Sequence, residues 1–470
     1  SRSEADWIVG MNATRAATIR LRSSFDGAVS LGRVQTPTLA ILTRREEEIR
    51  AFVPEPYWLV DAGFAASGDR RYEGRFHAGA KPRVASEAEA VAIADAVRDG
   101  TGKITKVKTT RRKTQAPLLF DLTSLQREAN SKFGFSARRT LAAAQRCYDE
   151  HKVLTYPRTN SKYLTSDMVP ELKEIAAHVG RHRDYAAAAA YVTGLDVLPL
   201  ARVVNDEKVG DHHAIIPTNA DHALDKLKDD DRRIYDLVAR RFLAIFHPEA
   251  EFDSTSVETT VPAADGSAEH VFRTRGKILV VPGWRGVWGE LADDAKDDED
   301  EGKDQTLPRL EEGESSSVRN VEVLAKETKP PGRYSDASLL GAMETAGKLV
   351  DDEAMREAMS ESGIGTPATR ASIIERLIDV GYVERDARAL VPTEKGMNVI
   401  RLLGDHPLTS PSLTGDWEKR LAEIEDGKTE RKKFMADIAK FAGETVGELD
   451  VKLKDVKIPR ANLGPCPICG

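Results

Sequence analysis

The chain has 470 residues, 40% of them hydrophobic and 31% charged, which suits a soluble protein of roughly three domains at about 150 residues each. No run reaches the roughly 18 apolar residues of a membrane span and no signal-peptide pattern opens the chain, while three sparse cysteines (Cys147, Cys466, Cys469) argue against a disulfide framework and for a reducing, cytoplasmic setting. Net charge is −7, yet residues 290–314 alone carry −9, so the remainder is near neutral and the overall sign does not exclude a nucleic-acid partner.

In chain order, the stretch from Ser3 to about Arg50 predicts helices at both ends with "SLGRVQTP" between them. Leu39, Leu42, Ile49 and Phe52 fall at mostly helical spacing beside a charged face. After Pro54 and Pro56, "YWLVDAGFAA" and "KITKVKTT" predict strands flanking a helical, alanine-rich stretch at 86–98. From about Gln115 to His247 the chain predicts helices. Ser136 would cap one with Leu141, Ala144 and Tyr148 on a shared face, and Thr165 another with Leu172, Ile175, Ala176 and Val179 inward.

Strands return at "STSVETTV" and "KILVVPGW", followed by the acidic tract "DDAKDDEDEGKD", whose low complexity predicts a solvated, disordered insertion. From Pro330 the pattern is helical again. Thr366 caps, Pro367 takes the first helical position, Ile374, Leu377 and Ile378 face inward, and Gly381 stops the helix. Two short strands around "ERDARA" and one more helix complete a winged-helix type of unit.

The expected fold class is multi-domain α+β. Segments 1–55 and 329–455 would form a helical groove domain, and 56–114 with 249–328 a strand-rich domain that the chain leaves and re-enters. Segment 115–248 would be a helical domain between them, and 456–470 the start of a zinc ribbon. Because the chain begins at Ser1 and not at methionine, it reads as a piece of something longer.

Five constellations carry chemistry. In "LTYPRTNSKYL", Tyr156 is either a core aromatic or a nucleophile, with Arg158 two residues on to offset charge at a phosphate. A phenol near its ordinary pKa of about 10 needs help with its proton at neutral pH. "GDHHAIIPT" offers a histidine as a phosphate donor or as a partly buried, satisfied residue; adjacent histidines without cysteines or further ligands make a poor metal site. "SLGRVQTPT" combines a close-approach glycine with the donors Arg33 and Gln35, and lacks the GKS/T ending of a phosphate-binding Walker loop. "GIGTPATRAS" places glycines before a helix N-terminus, where free N–H groups favour a phosphate, with Arg370 in the first turns. Cys466 and Cys469 suggest the first half of a four-cysteine Zn2+ site or a redox pair, and a redox pair would need a thioredoxin-like context that the sequence lacks.

Taken together and in this order, these segments resemble the type IA DNA topoisomerases, most closely their bacterial topoisomerase III branch. "LGRVQTPTLA", "LTYPRTNSKYL", "DHHAIIPT", "VPGWRGV", "SGIGTPATRASIIERLIDVGYV" and "SLTGDWEKRLAEIEDGK" carry the likeness across almost the whole chain. The resemblance implies an arch enclosing a DNA-sized hole and ATP-independent cleavage, strand passage and rejoining. Tyr156 matches the tyrosine that bonds to a 5′ phosphate, Arg158 the arginine at the scissile phosphate, and His212 the motif histidine. Ser30, Leu31, Gly32, Arg33, Val34 and Gln35, with Thr366 and Arg370, match segments lining a single-strand groove. Asn160 stands where many relatives carry aspartate.

Partners implied are single-stranded and negatively supercoiled DNA and a cooperating helicase, with a monomeric, nucleoid-associated protein. The family's Mg2+ is held by an N-terminal toprim domain that precedes these motifs and is lacking here, so this stretch alone is expected to be impaired. A non-catalytic single-strand-binding scaffold is the alternative. A winged-helix regulator built on residues 363–403 would leave the other motifs without a role.

Overall fold

The computed structural model describes residues 1–220, 224–289, 304–349, 353, 359, 363–456 and 458. Three hydrophobic cores organise it. The first to form along the chain is helical. Helix α1 (Arg2–Leu21) buries Ala5, Val9, Ala13, Ala17 and Leu21, one stripe at four-residue spacing. Its small residues let the last helix lie close beside it, and salt bridges Arg431–Glu4 and Arg20–Asp450 tie both ends of that pair. Helix α2 (Gln35–Ala51) follows the "SLGRV" loop and ends before Pro54, as its composition predicts.

Strands β1 (Pro56–Ala66), β2 (Arg70–Phe76) and β3 (Thr101–Thr114), with helix α3 (Glu87–Val97), begin a barrel. The chain then leaves for α4 (Leu122–Phe133), α5 (Ala137–Asp149), α6 (Leu172–Val179), α7 (Ala186–Gly194) and α8 (Asp229–Ala244). It returns as β4 (Ala250–Pro262), β5 (Glu269–Val281) and β6 (Ser315–Glu327), closing a six-stranded antiparallel barrel in the order β1-β2-β5-β4-β3-β6. Phe64, Tyr72 and Phe272 fill it, with α3 packed against β1 and β6. At the crossing between barrel and helices, Trp284 donates its backbone N–H to Pro248 (2.9 Å) and its indole N–H to the carbonyl of Thr114 (2.8 Å). One residue, through its backbone and its side chain, therefore pins both connections.

The final stretch rejoins the first core as α9 (Asp336–Glu344), α10 (Pro367–Asp379), β7 (Val383–Asp386), β8 (Ala389–Pro392), α11 (Glu394–Leu403), α12 (Pro411–Glu425) and α13 (Arg431–Lys452). The helix–hairpin–helix of α10 to α11 is the winged-helix arrangement read from the sequence, with Gly381 at φ +74° after α10. Glu46 of α2, almost fully buried, accepts from Arg333 (2.8 Å) and Arg50 (3.1 Å), joining the two halves of this core.

Several expectations need correction. Strands β2 and β6 were not legible, because their charged and serine-rich sequences carry little alternating apolar signal. On α5 the buried stripe is Ala137, Thr140, Ala143, Ala144 and Cys147; Leu141 and Tyr148 are half-buried, since α8 packs on the neighbouring face. Thr165 makes no side-chain cap: Ser166–Glu171 is a 3-10 turn containing Pro170, and α6 begins only at Leu172. The tract "DDAKDDEDEGKD", apart from Asp304, falls outside the described residues, and the chain just beyond it is built onto the barrel. Gln305 bonds to Arg275 (3.0 Å) and Leu310 is buried, while residues 290–303 and the pair Cys466 and Cys469 lie outside the described residues.

Hydrogen bonds from Arg333 hold the Glu46 carboxyl below its ordinary value of 4.5; burial opposes this and Arg50 reinforces it. A depressed carboxyl pKa adds stability above the unfolded value, and that stability is lost as pH falls through the folded value. Glu46→Gln should therefore cost about 1–2 kcal/mol at pH 7, and the penalty should shrink below about pH 4.5, as read by urea unfolding across pH.

A tyrosine loop and a pinned groove as the candidate functional site

The segment around Tyr156 is an extended loop held by side chains and single bridges, not a sheet strand. Leu154 bridges Pro217, Phe120 bridges Ile215, and Thr155 bonds to Ile216 (2.9 Å). Thr155 Oγ1 also donates to the carbonyl of Ala214 (3.3 Å) and accepts from the amide of Ile216 (3.0 Å). These bonds satisfy polar backbone that would otherwise be buried without a partner. Pro157, Thr159 and Ser161 point inward, whereas Arg158 and Asn160 are exposed and Tyr156 is half-buried. Alternation thus survives in a loop, and it leaves Tyr156 and Arg158 both away from the packed side.

His212 is set against Tyr156, with ring centroids 4.3 Å apart and planes tilted by 44°. Thr159 fixes that approach by donating Oγ1 to the carbonyl of His212 at 2.8 Å. From the other side, Tyr148 of α5 meets the Tyr156 ring edge-on at 5.4 Å. One turn earlier on the same helix, Gln145 accepts from Arg158 Nε (3.3 Å) and donates to Asp149 (2.7 Å), which settles the orientation of its amide. The fold therefore brings Tyr156, Arg158 and His212 together. The sequence reading placed Tyr148 only on a helix face and did not single out Gln145, although their i, i+3 spacing puts both on one side of α5.

The other motifs sit in the helical core. Thr18 and Thr14 of α1 accept from the amides of Val29 (2.9 Å) and Leu31 (2.9 Å), and Gly32 donates to Thr36 (3.0 Å), so the "SLGRV" loop is pinned along its length. Ser30 and Gln35 bond to each other at 3.2 Å. Arg33 does not reach into open space. It is 5% exposed, bidentate to Asp6 (2.8 and 3.1 Å), bonded to Glu418 (2.9 Å) and set over the Trp417 ring at 4.9 Å. Burial works against its charge, and Asp6 and Glu418 more than offset that, so its pKa is raised.

Beside Arg33 lies a cavity of about 330 Å³ that Val34, Gly365, Thr366, Thr369 and Glu418 also line, which brings the two groove motifs to one place. Thr366 and Thr369 cap α10 through hydrogen bonds of 3.1 Å. Arg370 turns away from that cavity. It is 1% exposed and donates to Thr123 Oγ1 of α4 at 2.8 Å. Burial lowers its pKa despite the nearby carboxylates of Glu344 and Asp121. The first turn of α4 consequently touches both regions, because Leu122 also donates to the carbonyl of Thr159 (3.1 Å). Lys162 of the tyrosine loop reaches Asp121 at 3.6 Å and Glu344 at 4.0 Å. Among the described residues no group of three or more His, Cys, Asp or Glu is arranged to hold a metal ion.

The family profile described as DNA topoisomerase matches residues 1–436. The chain belongs to that family, in its type IA class. Among the relatives, DNA topoisomerase 3 from Bacillus licheniformis is 38% identical over the whole chain, and that from Bacillus subtilis is 36% identical. The chain spans about 63% of the length of each of these relatives. Among solved structures, full-length topoisomerase I from Thermotoga maritima superposes with a TM-score of 0.69 at 25% identity, covering 97% of this chain and 69% of that one. The multi-domain α+β fold class read from the sequence is therefore borne out. No helix among the described residues is long and apolar enough to cross a membrane.

Removing the Arg33 charge strands two carboxylates beside a buried side chain. Arg33→Met should destabilise the protein by about 3–5 kcal/mol, measured by urea unfolding. Lysine should recover only part of this, because an ammonium cannot reproduce the bidentate contact.

Proposed function

We propose that this chain is the DNA-cleaving core of a type IA topoisomerase, with Tyr156 as its nucleophile. The observation that carries this reading is the seating of Tyr156 between the rings of Tyr148 and His212, with Arg158 held two residues away by Gln145. On this reading the phenolic oxygen of Tyr156 bonds to phosphorus of a single strand and its proton passes to solvent or a base. The bond from phosphorus to the 3′ oxygen breaks, and that oxygen leaves as a hydroxyl once protonated. Arg158 offsets charge on the non-bridging oxygens. The phosphotyrosine ester retains the free energy of the broken diester, so reversal rejoins the strand without ATP.

Arg33 and Arg370 hold the walls of the groove together and do not themselves reach for phosphates, as their buried bonds to Asp6, Glu418 and Thr123 suggest. Contacts to DNA at this groove would come from Thr366, Gln35 and the helix N-terminus of α10. The boundaries 1–55 with 329–455, 56–114 with 249–328, and 115–248 describe three parts of this core. The family's Mg2+ finds no fitting donor set among the described residues, so no step here is routed through it. A second reading is a scaffold that binds single strands without cutting them, for which the pinned "SLGRV" loop and the cavity it shares with Thr366 would suffice.

A denaturing gel on a labelled single-stranded oligonucleotide separates the two readings. With magnesium and a relative's acidic toprim domain added in trans, a covalent adduct should form and be abolished by Tyr156→Phe. Binding without any adduct leaves the scaffold. Alone, the chain should relax negatively supercoiled plasmid poorly, and robust relaxation would show that it carries its own complete site.

A further inference from the structure

Sheet register sorts the basic run of β3 into two faces. Arg111 and Lys113 project on the side of buried Val257, where they are neutralised by Asp253 (2.5 Å) and Glu251 (2.9 Å). Lys106, Lys108, Thr110 and Arg112 project on the other side. Their partners on β4 are Glu258, Ser256, Ser254 and Phe252, and those pair in turn with Arg273, Arg275, Lys277 and Leu279 on β5. With Lys103 opposite Thr260 and Glu269 opposite Pro262 on the same side, seven cations share one face of these three strands with two carboxylates: Glu258 meets Arg273 at 3.4 Å and Lys106 at 4.0 Å, and Glu269 stands at the far end. Lys108, Arg112 and Arg275 are exposed, and Lys277 lies half-buried over the Phe252 ring at 4.8 Å.

The geometry suits phosphates and not bases. Same-face residues repeat every ~7 Å along a strand and the β3 and β5 rows stand ~10 Å apart, with the hydroxyls of Ser254 and Ser256 between them. Two cation rows flanking a polar strip can reach the two backbones that border a groove of duplex DNA, about 6–12 Å wide. Unpaired bases would need aromatic faces to stack on, and the one ring on this face, Phe252, is buried.

We propose that the outer face of β3, β4 and β5 is a second nucleic-acid contact, separate from the tyrosine loop, that holds the backbone of duplex DNA without sequence preference. It rests on the reading of the chain as a DNA-acting core. The register, and not the composition, makes the face: Arg111 and Lys113 are as basic as their neighbours and lie on the wrong side.

The test is fluorescence anisotropy with a mixed-sequence duplex of ~20 base pairs and a single-stranded oligonucleotide, each titrated across salt. Lys108→Gln, Arg112→Gln and Lys277→Gln combined should flatten the slope of log affinity against log salt by ~2–3, at about 0.9 per phosphate contact. Duplex affinity should fall at least about tenfold near 0.1 M salt, while single-strand binding stays as in the parent. Arg111→Gln with Lys113→Gln, on the opposite face, should leave the duplex slope unchanged. If the threefold variant does not fold, Lys108→Gln and Arg112→Gln singly decide, each lowering the slope by about 0.9. An unchanged duplex slope, an equal loss from the opposite-face variant, or an equal loss of single-strand binding overturns the proposal and leaves the tyrosine-site reading standing. A parent chain that binds neither DNA overturns both.

Discussion

Strand β3 pairs with β4 from Lys103 against Thr260 to Thr114 against Ala250, although the helical unit from α4 to α8 separates them in sequence. Closing so long a loop costs entropy that grows only slowly with length, and the continuous ladder of backbone bonds repays it. The pairing sets both ends of the helical unit side by side, where Trp284 bonds to Thr114 and Pro248 together. Without that juxtaposition the tyrosine loop would hang from two unrelated tethers. With it, the loop is carried by a unit anchored at one crossing and braced at its far side by Arg370–Thr123, Arg127–Glu344 and the Asp336 bond to Ala137.

Two groups of arginines do different work in this frame. Arg33 and Arg370 are buried among named acceptors and act as internal fasteners. Arg158 and the outer cations of β3 and β5 are on the surface, where a phosphate backbone can reach them. A guanidinium suits either task, since its planar fork binds carboxylates and phosphates equally well. What separates the two groups is burial: Arg33 and Arg370 are 5% and 1% exposed, whereas Arg158, Arg112 and Arg275 lie on the surface.

Much of the fold was legible because its signals are local. Ser136 and Thr366 as caps, Pro367 at the first helical turn and Gly381 as a stop depend on a few neighbouring residues, and all stand where the sequence placed them. Strands β2 and β6 were not, since neither alternates cleanly and each is held by its partners in the barrel. On α5 the helix and the shared face of Leu141, Ala144 and Tyr148 were plain, but which face is buried depends on where α8 lies.

By itself, then, the sequence determined the kind of protein this is: ordered motifs place it among the type IA topoisomerases, and "TYPRTN" marks the tyrosine and arginine to watch. Periodicity and capping are short-range effects, written in adjacent residues. Only the tertiary structure decided that His212 and Tyr148 bracket Tyr156, that Arg33 and Arg370 face inward, and that the basic run of β3 divides between a neutralised and an open face. The partner of a charge or a ring lies far away in the chain, and which partner it meets is fixed by packing and by strand register, neither of which is encoded in neighbouring residues.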